Sequence, residues 1–225
     1  ADGLSDNNLL SQEAIQRGIE SLQVFKTSLA GFEPESVRII ATYTLRKAKN
    51  TWQFIDAAKE VFPYPVEIVS GQEEARLIFN GVAHTAQLNK SSLILDIGGG
   101  STELSLGKDF SPQLLRSLDM GCVSFNKQFF KSGEVKKKSF DKAVTTAQQQ
   151  LEIVEDKYIN LGWKQCIGTS GTIESIYNVC ANEQLGYELN LADLLTLRDK
   201  LIELKTPDNF KFEQVSEDRR PILAA

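Results

Sequence analysis

The segment DIGGGSTE, residues 96–103, combines a glycine-rich turn with two carboxylates and two hydroxyls. Three consecutive glycines allow backbone N–H groups to approach an anion closely and to form a concave anion site. Asp96 and Glu103 bracket the turn, so both carboxylates can face one site and hold Mg²⁺ directly or through water. Glycines alone would favour an ordinary hairpin, but the flanking side chains favour a phosphate-binding loop. Its predicted phosphate-binding residues are Gly98, Gly99, Gly100, Ser101 and Thr102.

A second glycine-containing turn, GTSGT at residues 168–172, connects a predicted strand to a predicted helix. The free N–H groups at a helix N-terminus suit an anion or a nucleotide. Considered alone, the segment is a tight turn in which Ser170 or Thr169 caps the helix. Together with the first loop, it predicts a second ligand-facing turn in which Gly168, Ser170 and Gly171 bind phosphate.

Two further segments carry an arginine and a pair of glutamates. In ATYTLRKAKN (41–50), Arg46 follows a strand, where its guanidinium can clamp phosphate through two parallel hydrogen bonds; an ordinary surface arginine is the alternative. In SGQEEAR (70–76), Glu73 and Glu74 open a helix, where a carboxylate can orient and deprotonate water. First-turn glutamates also complement the helix dipole, and the residues alone favour that simpler role.

The hydrophobic pattern predicts the elements that position these residues. Helices are predicted at 12–30, 51–62, 73–85, 121–131, 140–162, 171–182 and 192–204. Strands are predicted at 36–42, 66–70, 92–98, 102–107, 113–119 and 164–170. Ser11 and Asn50 stand where N-caps of the first two helices are expected.

The order of these elements predicts an α/β protein with two domains. Strands alternate with helices before residue 80, and a new hairpin opens at residue 90. We therefore expect domains at 1–79 and 80–225, joined near the 73–85 helix, with a cleft between them. The first has few strands for a complete sheet, and DRRPILAA ends without a capping element, so we expect a fragment with both domains truncated.

Composition narrows the possible partners and location. With 41% hydrophobic residues, the 225-residue chain can bury a substantial core, and its net charge of −5 argues against a nucleic-acid partner. No run of eighteen apolar residues is present, so we expect no membrane span. The first residues lack the basic and apolar regions of a signal peptide, which favours the cytoplasm.

The cysteines predict neither structural zinc nor a disulfide framework. Cys122, Cys166 and Cys180 are an odd number without CxxC spacing, and His84 is the one histidine of the sequence. Their neighbours in sequence are apolar. We expect all three thiols to be reduced and to have no catalytic role.

Five segments, in this order and spacing, resemble the exopolyphosphatase and guanosine pentaphosphatase (Ppx/GppA) family. They are ATYTLRKAKN, EIVSGQEEARLIFNGVAHT, LILDIGGGSTELSLG, SLDMGCVSF and GTSGTIESI. The resemblance spans about residues 1–180 and continues more weakly to SEDRRP. It implies the ribonuclease H-like fold of the actin, sugar kinase and Hsp70 superfamily. Family members begin with a strand and a DLGSNS-type loop, and we expect that segment and the end of the second domain to be missing here.

The resemblance also implies roles for individual residues. Glu74, the second glutamate of QEEAR, would be the base that activates water, Asp96 and Glu103 would hold Mg²⁺, and Arg46 would bind phosphate. The implied reaction is in-line attack of water on the terminal phosphorus of inorganic polyphosphate. The resemblance further implies a homodimer for the full-length protein.

Three alternatives stay open at this point. The first is removal of the 5′-terminal phosphate of guanosine pentaphosphate, which uses the same motifs. The second is a kinase of the same superfamily, against which the QEEAR glutamate speaks. The third is a nucleotide-binding module, or a sensor that binds guanosine tetraphosphate without hydrolysing it; the presence of Glu74 favours hydrolysis.

Overall fold

A computed structural model describes residues 3–32, 36–181 and 188–225. It contains two compact units, Ala1–Glu74 and Ala75–Ala225. The boundary between the units falls within a single helix, Gly71–Thr85. The α/β class is confirmed, because both units combine helices with strands. The division into truncated domains at 1–79 and 80–225 stays a prediction.

In residues 3–32 and 36–74, the first unit has a two-stranded parallel sheet and three helices that precede the Gly71–Thr85 helix. Its elements are α1 (Gln12–Ser28), β1 (Ile39–Ala41), α2 (Tyr43–Lys47), α3 (Thr51–Val61) and β2 (Val66–Ile68). Strand β1 pairs with β2 in parallel, with Ile39 opposite Val66. The core forms where the apolar faces of α1 and α3 meet, and each face has helical spacing. Its buried residues are Leu10, Ile15, Ile19, Leu22, Phe54, Ala58 and Phe62.

The two predicted helix caps have different outcomes. Ser11 is confirmed as the N-cap of α1, since its hydroxyl accepts a hydrogen bond from the Ala14 N–H at 3.2 Å. Asn50 occupies the N-cap position of α3 but makes no side-chain cap bond. Its amide instead accepts from the Leu10 N–H at 2.7 Å and donates to the Leu10 carbonyl at 3.1 Å. The predicted cap position is confirmed, but the Asn50 side chain makes no capping bond because it joins two segments 40 residues apart.

The second unit is built on a four-stranded sheet. Its strands are β3 (Ser92–Ile97), β4 (Thr102–Lys108), β5 (Ser111–Leu118) and β6 (Gln165–Thr169). Its helices are α4 (Gly71–Thr85, shared with the first unit), α5 (Cys122–Phe129), α6 (Lys137–Glu152), α7 (Glu155–Leu161), α8 (Ser170–Cys180) and α9 (Leu191–Leu204). The strand order is β5-β4-β3-β6, with β3 antiparallel to β4 and parallel to β6.

Apolar residues cover both faces of this sheet. On one face, Leu104 and Leu106 pack with Val154 and Tyr158, whose hydroxyl donates to the Leu104 carbonyl at 2.8 Å. Burial raises the pKa of the Tyr158 phenol, so the phenol remains a hydrogen-bond donor. On the other face, Phe79 of α4 packs with Ile94, and both are fully buried.

The helices differ from the predicted ones in two places. The helix expected at 140–162 is two helices, α6 and α7, which meet at Ile153 and Val154. The break places Val154 in the core while Ile153 is 74% exposed, so packing rather than a glycine or proline interrupts the helix. The short α2 was not predicted. In the described residues, every helix is too short or too polar to cross a membrane.

We predict that Asn50 stabilises the first unit. Asn50→Ala should lower its free energy of unfolding by about 1–3 kcal/mol, because the Leu10 N–H and carbonyl lose their partners in a buried setting. Asn50→Asp keeps only the acceptor, so it should lower the free energy of unfolding less than Asn50→Ala does. Urea unfolding followed by Trp52 fluorescence in a Trp163→Phe background measures the effect. Gln23→Ala, on the exposed side of α1, is the control; equal midpoints for Asn50→Ala and this control would contradict the prediction.

Candidate functional site

The turn between β3 and β4 is held by the first residues of α5. The Gly98 N–H donates to the Ser101 carbonyl at 2.9 Å and closes the turn. The carbonyls of Gly98 and Gly99 accept the N–H groups of residues 122–124 at distances of 2.9 to 3.0 Å. These are the N–H groups that a helix leaves without intrahelical partners. The start of α5 therefore fixes the glycine turn.

This anchoring sets the direction of the N–H groups in the turn. In a planar trans peptide, the C=O and the N–H point in opposite directions. Because the Gly98 and Gly99 carbonyls point toward α5, the N–H groups of Gly99 and Gly100 point away from it, side by side. Neither donates to a backbone carbonyl in the loops that the structure describes. Adjacent N–H groups that point to the same side are typical of the concave anion sites in phosphate loops.

Gly121 lies against this turn and was not among the predicted site residues. A Cβ at position 121 would lie 2.6 Å from the Gly100 nitrogen and 2.7 Å from the Gly98 oxygen. No side chain fits there without moving the turn. The signal in the sequence is the SLDMGCVSF segment, one of the five that carry the resemblance, which contains Gly121.

Asp96 and Glu103 lie directly opposite each other on β3 and β4. Residues paired in this way project from the same sheet face, with Cβ atoms about 4.5–5.5 Å apart. Glu103 is 2% exposed, and Asp96 is half-buried. Two like charges in this arrangement repel each other unless a cation or a proton lies with them.

The donor set suits a divalent oxygen-binding cation. The described residues contain no group of three or more His, Cys, Asp or Glu side chains placed to hold a metal. Mg²⁺ characteristically uses one or two carboxylates and completes its shell with waters and substrate phosphates. The pair Asp96 and Glu103, beside the glycine turn, therefore fits such a cation.

The Thr169 and Ser170 hydroxyls of the GTSGT turn bind β3 and do not cap α8. Thr169 is the N-cap of α8 but makes no cap bond; its hydroxyl donates to Asp96 Oδ2 at 2.7 Å. Ser170 has φ 71°, an unfavourable conformation for a residue with a side chain, and its hydroxyl donates to the Ile97 carbonyl at 2.8 Å. Both bonds tie this turn to the end of β3. The simple capping interpretation is wrong for both residues.

The two glycines of that turn have close neighbours. A Cβ at Gly168 would lie 2.5 Å from Ile173 Cγ2, so packing accounts for this glycine. A Cβ at Gly171 would collide with the guanidinium of Arg219, which therefore lies at the N-terminal end of α8. Arg219 was missed in the sequence because it lies 48 residues beyond Gly171, in the weakly matching SEDRRP segment.

In the first unit, Arg46 and Glu74 form an ion pair. Arg46 Nη1 donates to Glu74 Oε2 at 3.0 Å and to the Val69 carbonyl at 3.0 Å. Both side chains are largely buried, with 21% and 14% exposed. Partial burial makes such a pair stronger than a solvent-exposed one. The structure thus joins the predicted phosphate-binding arginine to the predicted base.

The remaining predicted residues all lie in the second unit. Ser101 is 2% exposed and closes the glycine turn through its carbonyl. The Thr102 hydroxyl donates to the Met120 carbonyl at 2.7 Å, so its proton is already engaged. The backbone N–H groups of the turn are therefore stronger candidate donors to phosphate than the Thr102 hydroxyl. The assignment of Thr102 to phosphate stays a prediction.

The three cysteines are free thiols. Cys122 is buried at the start of α5 and accepts a hydrogen bond from the Thr172 hydroxyl at 3.4 Å. Cys180 is half-buried, and burial is the main cause of its raised pKa. The expectation of an apolar setting is wrong for Cys166, whose side chain is exposed on β6.

Comparison with known proteins identifies relatives of this chain. A family model described as the Ppx/GppA phosphatase family matches residues 1–225. A Haemophilus influenzae protein provisionally named exopolyphosphatase is 45% identical over 181 residues, 80% of this chain and 56% of that protein. A guanosine-5'-triphosphate,3'-diphosphate pyrophosphatase of Aliivibrio fischeri is 36% identical over 219 residues, 97% of this chain and 44% of that protein. The chain thus spans about half the length of these curated relatives.

Solved structures share this fold. The exopolyphosphatase from Cytophaga hutchinsonii superposes with a TM-score of 0.85 over 99% of this chain and 76% of that chain. The two sequences are 23% identical. At this identity, the similarity establishes a common fold and leaves activity to be argued from the site.

We predict that Gly121→Ala disrupts anion binding by the glycine turn. The methyl group would displace Gly98 and Gly100, weakening inorganic pyrophosphate binding at least about ten-fold and lowering stability by about 1–3 kcal/mol. Amide chemical shifts of Gly99 and Gly100, followed by NMR during pyrophosphate titration, measure this.

The matched control for this change is Gly81→Ala. Gly81 is an exposed residue of α4 whose added Cβ would meet no atom within 4 Å. This substitution should leave pyrophosphate binding unchanged and should stabilise the helix by about 0.5–1 kcal/mol. Glycine amides that do not shift with pyrophosphate in the unmodified protein would show that the turn is not an anion site.

Proposed function

The chain belongs to the Ppx/GppA phosphatase family, and on that premise we propose that it is part of a phosphohydrolase that releases terminal orthophosphate from inorganic polyphosphate. The proposal includes Mg²⁺ as cofactor, a cytoplasmic location and a homodimeric full-length enzyme. Nucleic acid is not among the proposed partners, since the net charge is −5.

One observation carries the proposal: the glycine turn and the opposed carboxylates lie at the same end of the β3–β4 hairpin. The N–H groups of Gly99 and Gly100 supply donors for phosphate oxygens, while Asp96 and Glu103 supply oxygens for a cation. A polyanionic substrate needs both kinds of partner, because anionic phosphate oxygens must be neutralised before a water can attack phosphorus.

Glu74 is the proposed general base. The Arg46 ion pair holds its carboxylate in one orientation, as a base must be held to abstract a proton from a particular water. Arginine has five N–H donors, so Arg46 can hold Glu74 through Nη1 and still donate to a phosphate oxygen.

The proposed reaction is an in-line displacement at the terminal phosphorus. A water oxygen forms the new P–O bond, Glu74 takes the water proton, and the bridging P–O bond to the shortened polyphosphate breaks. Mg²⁺, held by Asp96 and Glu103, would neutralise charge on the phosphate oxygens. The N–H groups of Gly99 and Gly100 stabilise the oxygens of the transferred group. Arg219, beside Gly171, adds a positive charge for the next phosphate of the polyphosphate chain.

Guanosine pentaphosphate is the second candidate substrate. The Aliivibrio fischeri relative is named for this substrate class and aligns with 97% of this chain. A terminal 5′-phosphate presents the same phosphoanhydride bond to the glycine turn. The two substrates differ beyond the second phosphate, where polyphosphate continues as a chain and the nucleotide carries a ribose and a base.

We predict that Glu74→Gln in the full-length protein lowers kcat about 10²–10⁴-fold while substrate binding is retained, because the amide cannot accept the water proton. Glu73→Gln, its neighbour in the first turn of α4, is the matched control and should retain turnover. Release of orthophosphate from polyphosphate is the measurement. Equal losses in both variants would mean that these glutamates serve only the helix dipole.

We predict further that the full-length protein releases orthophosphate faster from long-chain polyphosphate than from guanosine pentaphosphate or ATP at equal concentrations. Initial rates measured side by side decide between the candidates. A higher kcat/KM for guanosine pentaphosphate would assign the second candidate. Release from none of the three would contradict the proposed hydrolase and favour a binding module.

A further inference from the structure

Four polar side chains form one row across the sheet of the second unit. The strand registers place Ser117 opposite Glu103, Glu103 opposite Asp96, and Asp96 opposite Thr169. Directly opposed residues share a face, so the row runs from β5 to β6 on one side of the sheet. The two carboxylates occupy the middle and the two hydroxyls the flanks. We call these four residues the polar row.

Each hydroxyl of the polar row donates to the carboxylate beside it. The Ser117 hydroxyl lies 2.7 Å from Glu103 Oε1, and the Thr169 hydroxyl lies 2.7 Å from Asp96 Oδ2. The partners are 14 and 73 residues apart in the sequence, so the pairing of the strands, not local geometry, makes these contacts. Hydrogen bonds to charged carboxylates are short and among the stronger ones in proteins.

The hydrogen bond from Thr169 to Asp96 takes the place of a favourable capping bond. Thr169 stands at the N-cap of α8, where a threonine hydroxyl ordinarily accepts a hydrogen bond from the first turn of its own helix. It makes no such bond and binds Asp96 instead. The other hydroxyls of this sheet face differ, because Ser105 donates to the Ala75 carbonyl and Ser92 to the Lys90 carbonyl. Hydroxyl bonds to carboxylates thus occur at the polar row, beside the glycine turn.

We propose that Thr169 and Ser117 are positioning residues for the cation site: each hydroxyl fixes one oxygen of a carboxylate, so that Asp96 and Glu103 present a fixed arrangement to a divalent cation. This inference rests on the proposed function and extends it to two residues that do not touch the cation. Partners that orient metal ligands in this way typically contribute 10–100-fold to metal affinity. Their effect should therefore appear in cation binding, with the chemical step largely preserved.

The test measures Mn²⁺ binding to the full-length protein by the EPR signal of free Mn²⁺. Thr169→Val removes the hydroxyl and keeps the shape, and it should weaken Mn²⁺ binding about 10–100-fold. Thr169→Ser restores the donor and should recover most of the affinity. Ser117→Ala should weaken binding in the same way. With polyphosphate as substrate, Thr169→Val should raise the Mg²⁺ concentration for half-maximal rate and retain kcat at saturating Mg²⁺.

Two comparisons make the outcome decisive. Thr145→Val, which removes an exposed hydroxyl bonded to the Asp141 carbonyl, should leave Mn²⁺ binding unchanged. In an Asp96→Asn background, Thr169→Val should have no further effect, because its role acts through Asp96. If Asp96→Asn weakens Mn²⁺ binding but Thr169→Val and Ser117→Ala do not, the positioning role is refuted while the proposed site survives. If Asp96→Asn itself changes nothing, the proposed cation site fails.

Discussion

The pairing of Asp96 with Glu103 across two neighbouring strands is the constraint on which the rest of the site depends. The register of β3 and β4 places these carboxylates directly opposite each other, and Glu103 is almost fully buried. Such an arrangement is unfavourable in a sheet without positive charge or donors nearby. The hydroxyls of Ser117 and Thr169 supply donors, and a divalent cation would supply the charge. A cation bound between the two carboxylates is the proposed use of this arrangement.

The β3–β4 hairpin also sets the position of the glycine turn. Its carbonyls are engaged by the start of α5, which leaves adjacent N–H groups directed away from that helix. Gly121 is needed because any side chain there would meet the turn. The proposed anion donors and the proposed cation ligands therefore lie on one β3–β4 connection. A phosphate bound at the turn would meet a cation held beside it.

Local patterns in the sequence predicted most of the elements and the residues of the turn. Ser11, the helices around Phe54 and Phe79, and the β3–β4 hairpin are all encoded within short segments. Contacts between distant strands were not predictable, because alternation does not specify which strands become neighbours. The bonds of Thr169 and Ser117 to the carboxylates were missed for that reason, and Arg219 was missed because it lies far along the chain from Gly171. The break at Val154 was missed because packing, not helix-breaking residues, causes it.

The claim that the opposed carboxylates and the glycine turn form one cation–phosphate site can be tested directly. Crystals of the full-length protein containing Mn²⁺ and pyrophosphate, measured at the manganese absorption edge, would locate the metal by anomalous scattering. We expect an anomalous peak within about 2–2.5 Å of carboxylate oxygens or bound waters at Asp96 and Glu103, with a phosphate oxygen on the Gly99 and Gly100 N–H groups. Manganese bound elsewhere, with this carboxylate pair and the turn both empty, would contradict it.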